Sequence, residues 1–102
     1  MDMQQMMKQA QQFQQRLAEV QKELAGRQVS ATVGGGMVTA TVNGRHELLG
    51  LTIAREVVDP ADTQMLQDLV VSAVNEAMRK AQAMAEAEMA KLTGGLKIPG
   101  LF

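Results

Sequence analysis

Apolar residues recur through the first 26 positions at alternating intervals of three and four: Met3, Met6, Ala10, Phe13, Leu17, Val20 and Leu24. This strict heptad spacing predicts a helix over residues 1–26 with a coiled-coil-like seam. The intervening positions are rich in glutamine (Gln4, Gln5, Gln9, Gln11, Gln12, Gln14, Gln15 and Gln21), which favours helix and stays soluble without charge. Such a helix is about 33 Å long and its narrow apolar stripe needs a partner. Gly26 closes it.

From residue 29 the period changes to two. Val29, Ala31 and Val33 alternate with Ser30 and Thr32; Val38, Ala40 and Val42 with Thr39 and Thr41; Leu49, Leu51 and Ile53 with Leu48, Gly50 and Thr52. Residues 29–56 therefore read as a β meander with one buried face. A two-residue turn at Gly35-Gly36 sets Val33 against Val38, Ala31 against Ala40 and Val29 against Val42, which keeps the apolar sets on one face. Asn43-Gly44 invites a tight hairpin, but that register would put Arg45 and Glu47 opposite Val42 and Ala40. A four-residue loop, Asn43 to His46, is the expected alternative, with Ala40 against Leu49 and Val38 against Leu51.

Asp59-Pro60 predicts a helix start, with Asp59 as N-cap, and the helical pattern runs over 59–93 to the stop at Thr93-Gly94-Gly95. Its first part is broadly apolar (Met65, Leu66, Leu69, Val70, Ala73, Val74, Ala77 and Met78), wide enough to cover a sheet. Beyond Arg79 the stripe narrows to Ala81, Ala85, Met89 and Leu92. Unbroken, this helix is about 50 Å long, more than a compact chain of this size is wide. The first helix runs into the sheet and the second runs out, so their far ends can lie together. The expected fold is α+β: an α-β-β-β-α subunit with a three-stranded antiparallel sheet, long N- and C-terminal helices and a two-helix arm. Residues 94–102, ending Leu96-Lys97-Ile98-Pro99-Gly100-Leu101-Phe102, form an apolar tail without regular period.

At 102 residues the chain has room for one domain, 1–102. Its apolar content comes from nine Met and many Ala; Phe13 and Phe102 are the only aromatics. A core so short of bulk suggests completion by a second copy, a homodimer. There is no cysteine, the N-terminal residues do not read as a signal peptide, and no stretch is apolar for the length of a membrane span. A cytoplasmic location with no membrane partner is expected.

Little in the chain supports catalysis. His46 is the only histidine and falls in a hairpin loop, where it reads as a solvated residue; Ser30 and Ser72 have no histidine near in sequence. Asp59 and Asp62 are explained by helix capping rather than by a metal, and three or four ligands cannot be gathered around His46-Glu47. Gly34-Gly35-Gly36 lacks the lysine and hydroxyl residue of a phosphate-binding loop and reads as a turn. The expectation is therefore no enzyme, no cofactor, no metal and no small-molecule substrate. Net charge is −1, which does not advertise nucleic acid. The distribution is uneven: residues 1–28 carry four basic and three acidic groups, residues 59–92 three and six. Lys8 and Lys22 share the outer heptad position two heptads apart, about 21 Å along the helix. Arg16 lies beside that line, Arg27 follows at the helix exit, Arg79-Lys80 sit where the second helix is expected to leave the sheet, and Lys91 is near its end. The plainer reading of these cations is a solvated face with intrahelical pairs such as Glu19 with Lys22.

A series of short segments resembles one family. Gly34-Gly35-Gly36-Met37-Val38, Val42-Asn43-Gly44, Val57-Val58-Asp59-Pro60, Val74-Asn75-Glu76-Ala77, Lys91-Leu92-Thr93-Gly94-Gly95 and the final Pro99-Gly100-Leu101-Phe102 stand in the order and spacing of the YbaB/EbfC family of bacterial nucleoid-associated proteins. The resemblance implies a tweezer-like homodimer of α-β-β-β-α subunits with protruding helices, located at the nucleoid, that binds DNA and is linked to nucleoid organisation and gene regulation. It supplies no compact binding motif. Lys8, Arg16, Lys22, Arg79, Lys80 and Lys91 on the arms, and Arg27 nearer the body, are named as DNA contacts from charge and position. Phosphate contact by these groups would position double-stranded DNA without reading its sequence. Single strands are disfavoured, because no Tyr or Trp offers a stacking platform. The competing classes are a protein-interaction adaptor using the Gln-rich arms and apolar tail, and a Met-rich holdase.

Overall fold

The computed structural model describes residues 2–94. Helix α1 (Met3–Gly26) leads into strands β1 (Gln28–Val33), β2 (Val38–Asn43) and β3 (Leu48–Ile53), a 3₁₀ turn (Arg55–Val57) and helix α2 (Thr63–Leu92). The strands form one antiparallel sheet in the order β1-β2-β3. The expected α-β-β-β-α architecture is thus the observed one. The final segment, 95–102, lies outside the described residues.

The first hairpin has the expected register: Val33 pairs with Val38, Ala31 with Ala40 and Val29 with Val42. Gly34, Gly35 and Gly36 all take positive φ, so three successive positions of the connection use a conformation that side chains resist. On the second hairpin the structure corrects the sequence reading. Ala40 pairs with Leu51 and Val38 with Ile53, while Val42 pairs with Leu48 across a register shift. Two local forces explain the difference. The Asn43 amide donates to the Glu47 carbonyl at 3.0 Å, leaving a three-residue loop in which His46 takes φ 63°. One extra β3 residue is then absorbed as a bulge.

The helix start is also corrected. The N-cap of α2 is Asp62, whose carboxylate accepts from the Met65 amide at 3.2 Å. Asp59 instead accepts from the Ala61 amide at 2.9 Å and holds a turn over Pro60. Both aspartates can cap, and the pattern alone does not rank them. At the other end Thr93 is the C-cap and Gly94 adopts φ 62°, the left-handed stop expected from the sequence.

The core lies between α2 and one sheet face. Ala73, Ala77 and Ala81 on α2 and Val38, Ala40 and Val42 on β2 are fully buried, with Ala31 and Val57 beside them. Alanine at every fourth α2 position lets the helix axis approach the sheet closely, so valine suffices where larger side chains are usual. The opposite sheet face is polar, with hydroxyl pairs Ser30–Thr41 at 2.8 Å and Thr32–Thr39 at 2.9 Å.

The molecule measures 69 × 23 × 17 Å. The expected two-helix arm is paired only along part of its length. Positions up to Ala81 of α2 cover the sheet, leaving 11 residues beyond it, about 16 Å, whereas α1 continues for about 36 Å. Leu92 therefore reaches only the level of Arg16 and Val20, and residues 2–15 of α1 continue as an exposed single helix.

The join between α1 and the sheet is made by the second hairpin loop. Gly44 donates its amide to the carbonyls of Leu24 at 2.8 Å and Arg27 at 3.1 Å. A Cβ at Gly44 would sit 2.7 Å from the Leu24 carbonyl oxygen and 2.8 Å from its side chain. Gly44→Ala is expected to destabilise by ~1–3 kcal/mol, read as a lower urea midpoint. Gly26→Ala, whose Cβ meets nothing, should be neutral or stabilising by up to ~1 kcal/mol.

Candidate nucleic-acid interface

The arm is anchored before it is charged. Asn43, almost fully buried, uses every hydrogen-bonding group of its side chain. Its amide nitrogen donates to the Ala25 carbonyl at 3.2 Å and to Glu47 Oε1 at 2.8 Å; its oxygen accepts from the amides of Arg45 and Glu47, each at 3.0 Å. A buried amide satisfied on all sides fixes both the loop and the exit of α1. Leu24, the last seam residue, is buried against this loop.

The seven cations named from the sequence divide into two groups. Four are engaged within the chain. The Arg27 guanidinium lies 2.7 Å from Glu88 and Lys91 Nζ lies 3.2 Å from the same carboxylate. Arg79 pairs with Glu76 through two of its nitrogens, at 2.5 and 3.1 Å. Lys80, near the point where α2 leaves the sheet, donates its ammonium to the Ser30 carbonyl of β1 at 2.8 Å. The other three, Lys8, Arg16 and Lys22, are exposed on α1 and make no ion pair among the described residues. The anticipated Glu19–Lys22 pair is not formed. Because α1 is unbroken, Lys8 and Lys22 stand on one line about 21 Å apart, as the heptad numbering requires. Arg16 flanks the groove where α1 meets the end of α2, beside Glu19, Glu23, Glu88 and Lys91.

Glu88 is a neighbour of these cations that sequence reasoning does not single out. It takes hydrogen bonds from Lys91, three residues on, and from Arg27, 61 residues away. The i,i+3 pair is visible in the sequence; the long-range one is not. Arg45 and Arg55 likewise carry no pattern that marks them; both are exposed on the body without an ion pair among the described residues.

Hydrogen bonds from Lys91 and Arg27 hold the Glu88 carboxyl below the usual carboxylate range, and the Arg79 hydrogen bond does the same for Glu76. A depressed folded-state pKa stabilises above the unfolded value, and that contribution is lost as pH falls through the folded one. The α1–α2 tie at Glu88 should therefore be constant near neutrality and loosen as pH falls through and below the ordinary carboxylate range. Amide exchange at residues 24–27, measured down a pH series and corrected for intrinsic rates, should show that loosening. Glu88→Gln should remove the pH-dependent part.

Among the described residues no group of three or more acidic, His or Cys side chains could hold a metal ion, and no helix is long and apolar enough to cross a membrane. The chain matches the model of the YbaB/EbfC DNA-binding family over residues 1–96. A nucleoid-associated protein of Clostridium acetobutylicum is 53% identical over 100 residues, covering 98% of this chain and 89% of that one. Another from Pelotomaculum thermopropionicum is 52% identical over 101 residues, with 99% and 96% covered. The crystal structure of an uncharacterized protein from Helicobacter pylori superposes with a TM-score of 0.84 at 21% identity, covering 92% of this chain and 99% of its own, and shows the same fold. With that match along almost its full length, and relatives identical at half their positions, the chain belongs to the YbaB/EbfC DNA-binding family.

Proposed function

We propose that the chain acts at the nucleoid, in the cytoplasm, as a homodimer that binds double-stranded DNA with low sequence specificity through phosphate contacts. On this reading it alters DNA conformation and influences gene expression, and it performs no catalysis. The observation that carries the reading is the contrast among the cations. Lys8, Arg16 and Lys22 are exposed along α1 without an ion pair among the described residues, while Arg27, Arg79, Lys80 and Lys91 are already satisfied. Ammonium and guanidinium groups free of carboxylates release counterions when they meet phosphates, which is the main source of non-specific affinity. The engaged cations contribute less, because each must first leave its partner. The names of the relatives, nucleoid-associated proteins, support the same reading.

We put the dimer contact at β3. Helix α2 packs mainly on β1 and β2 and leaves β3 exposed from Leu48 to Thr52, with only Ile53 packed against the core. Strand β3, Leu-Leu-Gly-Leu-Thr-Ile, carries no charge; Leu48 and Leu49 are each 49% exposed, and Leu51 on the same strand is exposed as well. An uncharged, apolar edge strand is a pairing surface, and a second copy satisfies it symmetrically. Two copies joined there carry two α1 arms.

Binding to a fluorescent duplex of about 30 base pairs should be tight at low salt and fall linearly in a log–log salt plot. Lys8→Ala/Arg16→Ala/Lys22→Ala should weaken it and flatten the slope by about 0.9 for each phosphate no longer neutralised. Arg79→Ala should change it little. A folded protein without duplex affinity at low salt would refute the DNA reading and leave the protein-interaction adaptor in its place. Separately, Leu51→Glu should convert the dimer to a folded monomer in light scattering; an unchanged mass would move the interface elsewhere.

A further inference from the structure

The seam of α1 has two fates. Its lower part, Leu17, Val20 and Leu24, meets the body or the end of α2. Its upper part, Met3, Met6, Ala10 and Phe13, is exposed on the single-helix tip, with Met3 75% and Phe13 37% accessible and Met7 also open. Four seam residues in strict heptad register on a solvent-facing helix are a half-built coiled coil.

We propose that the α1 tip is a homotypic docking surface, pairing antiparallel with the α1 tip of a second copy. The charge pattern selects both partner and direction. With Met3 and Phe13 as seam positions, the flanking positions before each seam pair are Asp2, Gln9 and Arg16. In an antiparallel pair Met3 meets Phe13 of the second copy and Met6 meets its Ala10. The same alignment places Asp2 against Arg16 of the second copy, Gln9 against its Gln9, and Arg16 against its Asp2. Both charged contacts are attractive. A parallel pair would set Asp2 against Met7 and Gln9 against Gln14, with no charge matched. Asp2 already caps α1 by accepting from the Gln4 amide at 3.2 Å through Oδ1, which leaves its other oxygen for a partner.

The fold leaves room for this overlap. Leu92 stops beside Arg16, so residues 2–15 are clear of α2, and a second tip aligned in this register ends just short of that point. Lys8 lies opposite the seam and stays outward in the pair. Two heptads are too short for a strong coiled coil. The contact is weak in isolation and gains weight where molecules are held at high local concentration. It does not depend on the DNA reading and is tested without DNA.

The full-length protein is followed by sedimentation velocity into the millimolar range. Species larger than the basic assembly should grow with concentration. Phe13→Glu and Met6→Glu should abolish that growth; both side chains are exposed, so melting curves by circular dichroism should stay at wild type. Arg16→Asp should raise the concentration required about tenfold by turning two attractions into repulsions. Adding Asp2→Asn, which keeps the cap, should recover much of the loss. The chain has no cysteine, so Gln9→Cys should give a disulfide-linked pair on oxidation, while Gln4→Cys on the outer face should not. No concentration-dependent growth, or growth indifferent to Phe13→Glu, overturns the proposal. So does labelling of Gln9→Cys that is blocked without linked pairs and released by deleting residues 96–102, which would assign the seam to the chain's own tail.

Discussion

The structure depends on one buried contact, the docking of the Asn43-Gly44 loop onto the end of α1. An arm that projects about 36 Å from a small body has little surface with which to hold itself. Here the hold is concentrated. Gly44 presents a bare backbone to the Leu24 carbonyl, and Asn43 ties the Ala25 carbonyl, the Glu47 carboxylate and two loop amides into one saturated set. The same hydrogen bonds fix a three-residue hairpin loop, hence the bulge, hence which leucines of β3 stand at the open edge. Helix direction and sheet edge are therefore set by two residues.

Much of this is legible in the chain, and the reasons differ by element. The heptad of α1, the first hairpin register and the helix stop at Gly94 follow from local rules, because periodicity and glycine conformation are decided within a few residues. The apolar pattern assigns the wrong register to the second hairpin because its loop is stabilised by the Asn43 side chain and absorbed by a bulge. Neither is a pattern of apolar and polar positions. The start of α2 is ambiguous by three residues because Asp59 and Asp62 both make capping-type hydrogen bonds, and only the assembled chain selects Asp62.

The candidate site is legible as a set of cations but not as a sorted set. The sequence places Lys8, Arg16 and Lys22 on one helix face. It cannot reveal that Glu88 collects Arg27 from 61 residues away, or that Lys80 directs its charge at a strand carbonyl. Long-range pairing is a property of the assembled fold, and it separates cations available to a ligand from those committed to the chain. The net charge of −1 is likewise a poor guide, since residues 59–92 carry six of the eleven acidic groups and two of these, Glu76 and Glu88, engage Arg79, Arg27 and Lys91. The small core has a similar explanation: alanine spacing on α2 sets a close helix–sheet distance, and bulk is not required.

Gly26 stands at the base of the arm, with no atom close enough to crowd even a methyl group there. Mechanically, α1 is a lever whose short end is gripped by the hairpin and whose long end is free. A tilt of about 10° at the grip carries Met3 through about 6 Å, given the helix rise, comparable to a phosphate-to-phosphate step. Small adjustments at the loop are thus magnified at the tip, and the reach of the protein is tuned from its least exposed residues.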